Sequence, residues 1–444
     1  SDETTSRVVA AVVFSLLLLT PWTLVTGSLS YNEQGVALFT ACAGLALLLP
    51  MPPTRRFLTL ALLIGAAVGV KPTAILFVGV PAGILALGML WRECSHATST
   101  RRDATKAIAI GLLAGVCMLA PWMIRNATAT RNPVFPFAAS VFSQGAGGTG
   151  WWSEEQVARF KQSHTFTGSV SERVKLAFVP DMHDPVRPSW RGVTNPQWGL
   201  LLLAGALAAA TCVVLAKRNA STTVVPLALI VTLCVQAAMW LFATHIQSRF
   251  LLPLALPAAL ALGLLIALIR HVPIRVLVMF ALITTQGLFF VRALLIESDR
   301  GPASGLLALP SDFMGVPANP RLSREDLSPV AFVNRELPAD AKVLLLGDAT
   351  PLYFARPVLY ATTYDTSPLF TLANVDAANT ATWSPALKAV GVTHVLVNLG
   401  ELDRYRRSGF LDPRLEMGRV QTWAQGLGPP IAVWPGGVAL FAVR

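Results

Sequence analysis

Nine long apolar segments dominate this chain of 444 residues. A helix needs about 20 apolar residues to cross the hydrocarbon core of a bilayer. The composition agrees, because 54% of the residues are hydrophobic and 13% are charged, whereas soluble proteins average about 25% charged residues. The sequence therefore predicts a polytopic α-helical membrane protein with about nine spans. The segments are 8–27, 36–50, 57–70, 72–91, 107–124, 196–216, 222–244, 251–269 and 276–296.

Lysine and arginine are concentrated in alternate short loops, as in proteins that obey the positive-inside rule. With the N-terminus in the cytoplasm, the short outer loops hold only Lys71 and Arg249. This asymmetry predicts that the chain after the ninth span lies outside the cytoplasm, here of a bacterial inner membrane. The cations of the inner segments are Arg7, Arg55, Arg56, Arg92, Arg101, Arg102, Lys106, Lys217, Arg218, Arg270 and Arg275.

The charge also divides the chain into domains. Residues 1–296 carry a net charge of +12, and residues 297–444 carry −1. We expect a membrane domain at 1–296 with a large outer loop at 125–195, a proline-rich linker at 297–326 and an extracytoplasmic domain at 327–444. In the last region, strand-like runs (342–347, 357–360, 393–398) alternate with helical ones (330–336, 381–390), and a hairpin (431–434 with 438–443) closes it. This pattern predicts a small, Rossmann-like α/β domain.

Several functional classes are disfavoured. The basic residues are scattered rather than clustered on one face, so no nucleic acid is expected as a partner. The α/β region lacks a GxGxxG motif, so no dinucleotide is expected there. The five cysteines show no metal-ligand spacing, and they are interpreted as packing residues without a metal site.

The outer loop contains two short amphipathic segments, 151–162 and 170–178. Ser153 and Gln156 have the spacing of a helix capping box. Both segments carry aromatic and basic residues, which is typical of helices that lie in a membrane interface.

Polar residues at the outer ends of the spans are the candidate functional residues. Glu33 is the one acid in a short outer loop and could act as a general base; the alternative is a solvated loop residue. Cations there can bind phosphate, or their side chains can reach toward lipid headgroups. The cations are Lys71, Arg125, Arg131, His245 and Arg249. Asp348 and Asp365 lie near strand ends, where α/β sites occur, although turn capping explains them equally well.

Four sequence stretches resemble the glycosyltransferase C superfamily, in particular its protein mannosyltransferases and aminoarabinose lipid A transferases. They are PWMIRN (121–126), NPVFPF (132–137), GAAVGVKPT (65–73) and SRFLLP (248–253). The resemblance implies transfer of a sugar from a polyprenyl-phosphate carrier to a lipid, glycan or protein acceptor outside the cytoplasm. It implies an inverting displacement at the anomeric carbon, with phosphate as the leaving group.

The resemblance also implies roles for individual residues. Lys71, Arg125, His245 and Arg249 would bind the donor phosphate, and Glu33 would be a catalytic carboxylate. Asn126, Arg131 and Asn132 are candidates for the acceptor side or for the loop itself. A divalent cation is compatible with such a site, and no other cofactor is expected.

One feature of the family is missing. Its principal acid, often part of an Asp-Asp or Asp-Glu pair, lies in the first outer loop, between the first two spans of the family, and this sequence has no loop that corresponds to it. If segment 8–27 corresponds to the third span of the family, two helices and that acid lie upstream.

Two other functional classes stay open. The chain could be a non-catalytic transporter or scaffold with an outer binding domain. It could also be a surface-polysaccharide ligase that uses basic residues of the outer loop. Those residues are Arg159, His164, Arg173 and His183.

Overall fold

The computed structural model describes residues 3–28, 32–96, 100–142, 152–165, 168–179, 192–193, 198–216, 224–296 and 323–443. The chain forms two compact units. The first, called the helical unit, comprises Ser1–Trp151 and Thr165–Asp299. The second, called the α/β unit, comprises Trp152–His164 and Arg300–Arg444.

Helices make up the described part of the helical unit. A π-helical turn (Ile75–Gly79) precedes α5, and a 3₁₀ turn (Ser248–Leu251) precedes α12. Helix α8 (Glu154–His164) belongs to the α/β unit. The helices are α1 (Glu3–Leu18), α2 (Pro21–Ser28), α3 (Glu33–Leu48), α4 (Pro53–Val70), α5 (Val80–Ser95), α6 (Arg101–Thr130), α7 (Ala139–Phe142), α9 (Val170–Phe178), α10 (Leu201–Ala216), α11 (Val224–Ala243), α12 (Leu252–Ala267) and α13 (Val272–Ile296).

Six helices in the described ranges are long and apolar enough to cross a membrane. Two further apolar helices, α3 and α10, have 16 residues each. The described residues thus agree with the prediction of a polytopic helical membrane protein in its coarser form, with six candidate spans where the sequence predicts about nine. The six are Pro53–Val70, Ile75–Ser95, Arg101–Thr130, Val224–Ala243, Ser248–Ala267 and Val272–Val291.

Helix α12 forms the centre of the helical unit. It is buried along most of its length, whereas α6 and α13 are mainly exposed. It packs against α1, α10, α11 and α3. A Cβ atom on Gly205 of α10 would lie 2.4 Å from the Cβ of Ala258, so the glycine allows α10 to approach α12 closely. Small residues serve this purpose in membrane helices, where close packing drives association.

Two proline positions interrupt helices. The predicted segment 8–27 is not continuous, because α1 ends at Leu18 and α2 begins at Pro21. Proline disfavours the helical conformation in the residue before it, here Thr20. The break predicted near Pro72 is confirmed, since α4 ends at Val70 and Lys71 is extended (φ −153°, ψ 122°). Helix α6 runs past its predicted end at 124 to Thr130, with Pro121 inside it.

A five-stranded sheet forms the core of the α/β unit, in the order β2-β1-β3-β5-β4. Strand β1 pairs in parallel with β2 and β3, and β5 is antiparallel to β3 and β4. The predicted closing hairpin is present, and the strand-like runs 342–347 and 393–398 form the buried strands β1 and β3. Helices α17 and α18 were not predicted. The elements are α8 (Glu154–His164), α14 (Pro329–Glu336), β1 (Val343–Leu346), β2 (Val358–Leu359), α15 (Pro368–Thr371), α16 (Trp383–Ala389), β3 (His394–Asn398), α17 (Leu399–Arg407), α18 (Met417–Gly426), β4 (Ala432–Trp434) and β5 (Val438–Ala442).

Helix α8 joins the α/β unit although the sequence places it in the outer loop. The predicted capping box is present, with Ser153 N donating to Gln156 Oε1 (2.7 Å) and Gln156 N to Ser153 Oγ (3.3 Å). Gln156 Nε2 also donates to the carbonyl of Tyr364 (2.8 Å), and Arg159 donates to that of Leu411 (2.8 Å). Trp152 Nε1 donates to the Asp365 carboxylate (2.9 Å). The segment predicted to lie in a membrane interface therefore packs on the α/β unit.

Candidate functional site: a carboxylate between two cations

Three candidate residues of the helical unit form one charged cluster. Glu33 is the first residue of α3, Lys71 follows α4, and Arg249 lies in the 3₁₀ turn before α12. Lys71 Nζ donates to Glu33 Oε1 at 2.6 Å. Arg249 Nε lies 3.3 Å from the same oxygen. The Glu33 side chain is 3% exposed, compared with 19% for Lys71 and 21% for Arg249. The carboxylate is therefore buried, and the two cations are the part of the cluster that is exposed at the surface.

The start of α3 is held against the end of α4. Asn32 Nδ2 donates to the carbonyl of Val70 at 2.7 Å, which satisfies a carbonyl that the helix end leaves open. A Cβ atom on Gly35 would lie 2.8 Å from Val70 Cγ1, so glycine permits this approach. The position of Glu33 at a helix N-terminus also favours its negative charge. These contacts place the carboxylate beside Lys71.

The backbone on either side of Lys71 fixes its position. Lys71 N still donates to Ala67 O (2.9 Å), and the chain then turns into the π-helical turn. π-Helical turns often occur at functional sites. Burial lowers the pKa of Lys71, and the Glu33 carboxylate opposes this effect.

Two buried tryptophans fix the segment that carries Arg249. The indole N–H groups of Trp22 and Trp198 both donate to Ser248 Oγ, at 3.1 and 2.7 Å. Ile246 is fully buried in the left-handed region, with φ 53°. Such strain in a β-branched residue costs of order 1–3 kcal/mol and is concentrated at functional sites. The segment is therefore held in a conformation that its own residues do not favour.

The ring of Phe250 brings the basic residues together. Lys71 Nζ lies 4.3 Å from the ring centroid, and Arg249 Cζ lies 5.5 Å from it. The His245 ring meets Phe250 edge-on, with centroids 5.2 Å apart. Phe250 was missed by the sequence reasoning, although its place directly after Arg249 was a signal. Three predicted residues, Lys71, His245 and Arg249, thus contact this ring, and Glu33 joins them through its contacts with the two cations.

The cluster carries more positive than negative charge. One carboxylate faces the ammonium group of Lys71 and the guanidinium group of Arg249, and the His245 ring packs on Phe250 beside them. Glu33 Oε1 binds the cations, while Oε2 is buried and accepts no hydrogen bond within the described ranges. Ammonium and guanidinium groups in this arrangement can bind a phosphate by charge-assisted hydrogen bonds. The second carboxylate oxygen can accept a proton from a hydroxyl group.

The remaining predicted residues lie elsewhere. Arg125 is exposed on α6, and no described contact links it to Glu33. Asn126 and Asn132 hold the loop after α6: Asn126 Nδ2 donates to Phe135 O (3.4 Å) and Asn132 Nδ2 to Phe137 O (2.8 Å). Arg131 ends α6 in the left-handed region (φ 58°). The loop geometry accounts for the two asparagines without an acceptor.

The basic residues of the ligase hypothesis are divided between the two units. Arg159 and His164 belong to the α/β unit, where His164 packs against Phe160 with ring centroids 4.3 Å apart. Arg173 belongs to the helical unit and donates to the carbonyls of Leu241 and Thr244. His183 lies outside the described residues.

The carboxyl ends of β1 and β3 are closely packed. A Cβ atom on Gly347 would lie 2.5 Å from the carbonyl oxygen of Asn398, and one on Gly400 would lie 2.7 Å from that of Gly436. Asp348 Oδ1 accepts from Thr350 N at 2.8 Å, as in a turn. The turn-capping interpretation of Asp348 is therefore the one the contacts favour. In the described ranges, no group of three His, Cys, Asp or Glu residues could hold a metal ion.

Residues 46–256 match a family model described as a domain of unknown function, DUF8201. The search of curated proteins finds no match for the chain. The matched region contains Lys71, His245 and Arg249, and Glu33 precedes it.

Proposed function

We propose that the chain is the membrane core of a glycosyltransferase that uses a polyprenyl-phosphate sugar as donor. The observation that carries this proposal is the convergence of Lys71 and Arg249 on one buried carboxylate, Glu33, with the His245 ring packed on Phe250, which also contacts both cations. The surplus of positive charge fits a phosphate group. The position of the cluster at the end of α4, a candidate membrane span, fits a lipid headgroup at the membrane surface.

The proposed reaction is an inverting displacement. A hydroxyl oxygen of the acceptor attacks the anomeric carbon, the bond from that carbon to the phosphate oxygen breaks, and the phosphate leaves with its electron pair. Lys71 and Arg249 stabilise the negative charge that develops on the phosphate. Glu33 Oε2 accepts the proton of the hydroxyl group. The sequence motifs shared with the glycosyltransferase C superfamily support this choice of reaction.

The proposed membrane arrangement has nine spans and an extracytoplasmic α/β unit. The distribution of lysine and arginine supports this orientation. In it, Glu33, Lys71 and Arg249 all lie on the extracytoplasmic side of a bacterial inner membrane. The acceptor would then be a lipid, glycan or protein of the cell envelope.

Sugar transfer in proteoliposomes tests the proposal. The full chain is supplied with radiolabelled polyprenyl-phosphate sugars and with membrane extract as the source of acceptors. We expect label to move from the carrier to an acceptor, and Arg249→Ala and Glu33→Ala to abolish the transfer. Arg125→Ala is the matched control, because it removes the same charge from an exposed position outside the cluster. Unchanged transfer in both cluster variants would overturn the site assignment.

A further inference from the structure

Helix α9 has three faces with different surroundings. One face packs into the helical unit, where Ala177 is 1% exposed. A second face is polar and exposed, and it includes Glu172 and Lys175. The third face is apolar and exposed, at the helical spacing of i, i+4 and i+8. Its residues are Val170 (64% exposed), Val174 (38%) and Phe178 (52%).

The packed face fixes α9 to the end of a candidate membrane span. The Arg173 guanidinium donates to the carbonyls of Leu241 (2.6 Å) and Thr244 (2.8 Å), at the last turn of α11. Val193 N donates to Ala177 O at 2.7 Å, which ties the C-terminal end of α9 to the same unit. A capping box between Ser169 and Glu172 begins the helix. These contacts hold α9 beside the C-terminal end of α11.

That end of α11 marks the edge of the hydrocarbon core. Helix α11 has 20 residues, which corresponds to about 30 Å of helix, the thickness of the core. Its last turn must then lie at the boundary between acyl chains and headgroups. Phe242 in that turn is 59% exposed, so the apolar surface of the span reaches the turn to which α9 is bound.

We infer that α9 lies in the membrane interface, with Val170, Val174 and Phe178 inserted among the lipids. The partner of this surface is the bilayer itself. An apolar face beside an exposed lysine, held at headgroup level, has the character of an interfacial helix. Helix α8 shows the contrast: it comes from the same loop and also begins with a capping box, but it is docked on the α/β unit. The inference is independent of sugar transfer.

Spin-label accessibility tests this position without any substrate. In the full chain with its five cysteines replaced by serine, single labels are introduced through V174C, F178C and, as the matched control on the polar face, K175C. The protein is reconstituted in liposomes. Collisions are measured with oxygen, which concentrates in lipid, and with a nickel chelate, which stays in water. Gel filtration and the thermal unfolding midpoint verify that each variant is folded.

We expect oxygen collisions to exceed nickel collisions at residues 174 and 178, and the reverse at residue 175. Higher nickel accessibility at all three positions would place the helix in water and overturn the inference. Low accessibility to both reagents at residues 174 and 178 would show that protein covers the apolar face, and this would overturn it as well.

Discussion

Two buried charge clusters lie at opposite ends of α4, and they differ in charge balance. At the N-terminal end, Arg56 donates to Glu93 Oε1 (2.8 Å) and to the carbonyl of Met51 (2.9 Å). At the C-terminal end, Lys71 and Arg249 share the single carboxylate of Glu33. Lys71 follows Arg56 by 15 positions, which corresponds to about 22 Å along α4.

Charge balance distinguishes a structural pair from a binding site. Arg56 and Glu93 neutralise each other and join α4 to α5. The cluster at Lys71 has a positive charge in excess, and a partly buried cation is stable only with a counter-charge. Distances and burial alone would not distinguish the two clusters. Each contains a short ion pair in which one side chain is 3–5% exposed.

The largest predicted effect comes from removing each carboxylate. Glu93→Ala leaves Arg56 buried without this partner, and we expect a loss of about 3–5 kcal/mol of stability. Glu33→Ala leaves Lys71 and Arg249 to repel each other, with a loss of the same order. Added polyprenyl phosphate should raise the thermal unfolding midpoint of Glu33→Ala, because it supplies the missing negative charge. The rise should be smaller for Glu93→Ala, where the lipid binds the intact Lys71 cluster but does not replace the lost charge.

An equal response of the two variants to the lipid would remove the distinction between the clusters. Uncharged polyprenol is the control ligand, because it has the same tail without the phosphate. A rise with polyprenol would assign the effect to the tail.

The second prediction concerns affinity. Arg249→Gln should weaken the binding of polyprenyl phosphate about 10- to 100-fold, since a hydrogen bond to a charged group contributes about 1.5–3 kcal/mol. Arg56→Gln should lower stability and leave the affinity of the folded protein unchanged. Titration of the lipid into nanodiscs measures both dissociation constants. If Arg56→Gln weakened binding as much as Arg249→Gln, the assignment of the lipid site to the Lys71 end of α4 would be wrong.

Local chemistry made part of the fold predictable. The end of α4 before Pro72, the bounds of α9 and the closing hairpin depend on prolines, caps and turn residues within a few positions. The break at Thr20 was equally predictable, because Pro21 follows it as Pro72 follows Lys71. The prediction of one continuous segment at 8–27 does not take this proline into account. Helices α17 and α18 are short and carry few apolar residues, and tertiary packing defines them.

The site was only partly predictable, because a sequence gives the depth of a residue in the membrane but not its face on a helix. Lys71, Arg125 and Arg249 all lie at the ends of spans. Arg125 is exposed on α6, and no contact in the described ranges joins it to the other two. The contact of Phe250 with both Lys71 and Arg249 depends on how α4 and α12 pack, which the sequence does not predict.

The sequences of α8 and α9 do not predict that α8 packs on the α/β unit whereas α9 packs on the helical unit. Both are short and amphipathic, and both begin with a capping box. An amphipathic pattern predicts that one face is covered, but it does not identify the partner. The residues that hold α8, Tyr364 and Leu411, are more than 200 positions away in the chain.

The third prediction tests the ring that joins the cations. Phe250→Leu preserves an apolar side chain but removes the cation–π contacts with Lys71 and Arg249, which are worth about 0.5–1 kcal/mol in a partly exposed site. Affinity for polyprenyl phosphate should fall about two- to fivefold, which is less than for Arg249→Gln. Phe250→Tyr is the control, because it retains the ring face. A loss as large as that of Arg249→Gln would mean that the ring positions the cations rather than adding to their binding.

The smallest effect is expected from Lys71→Arg, and it should depend on pH. Burial lowers the pKa of Lys71, more than Glu33 raises it, so the ammonium loses its proton at a lower pH than an exposed lysine does. Phosphate binding by the wild-type protein should therefore weaken as the pH rises toward that lowered pKa. Arginine stays protonated throughout this range. Lys71→Arg should match the wild type near neutral pH and retain its affinity at alkaline pH. Dissociation constants measured between about pH 7 and 10 check this; superimposable curves would mean that the ammonium of Lys71 does not bind the phosphate.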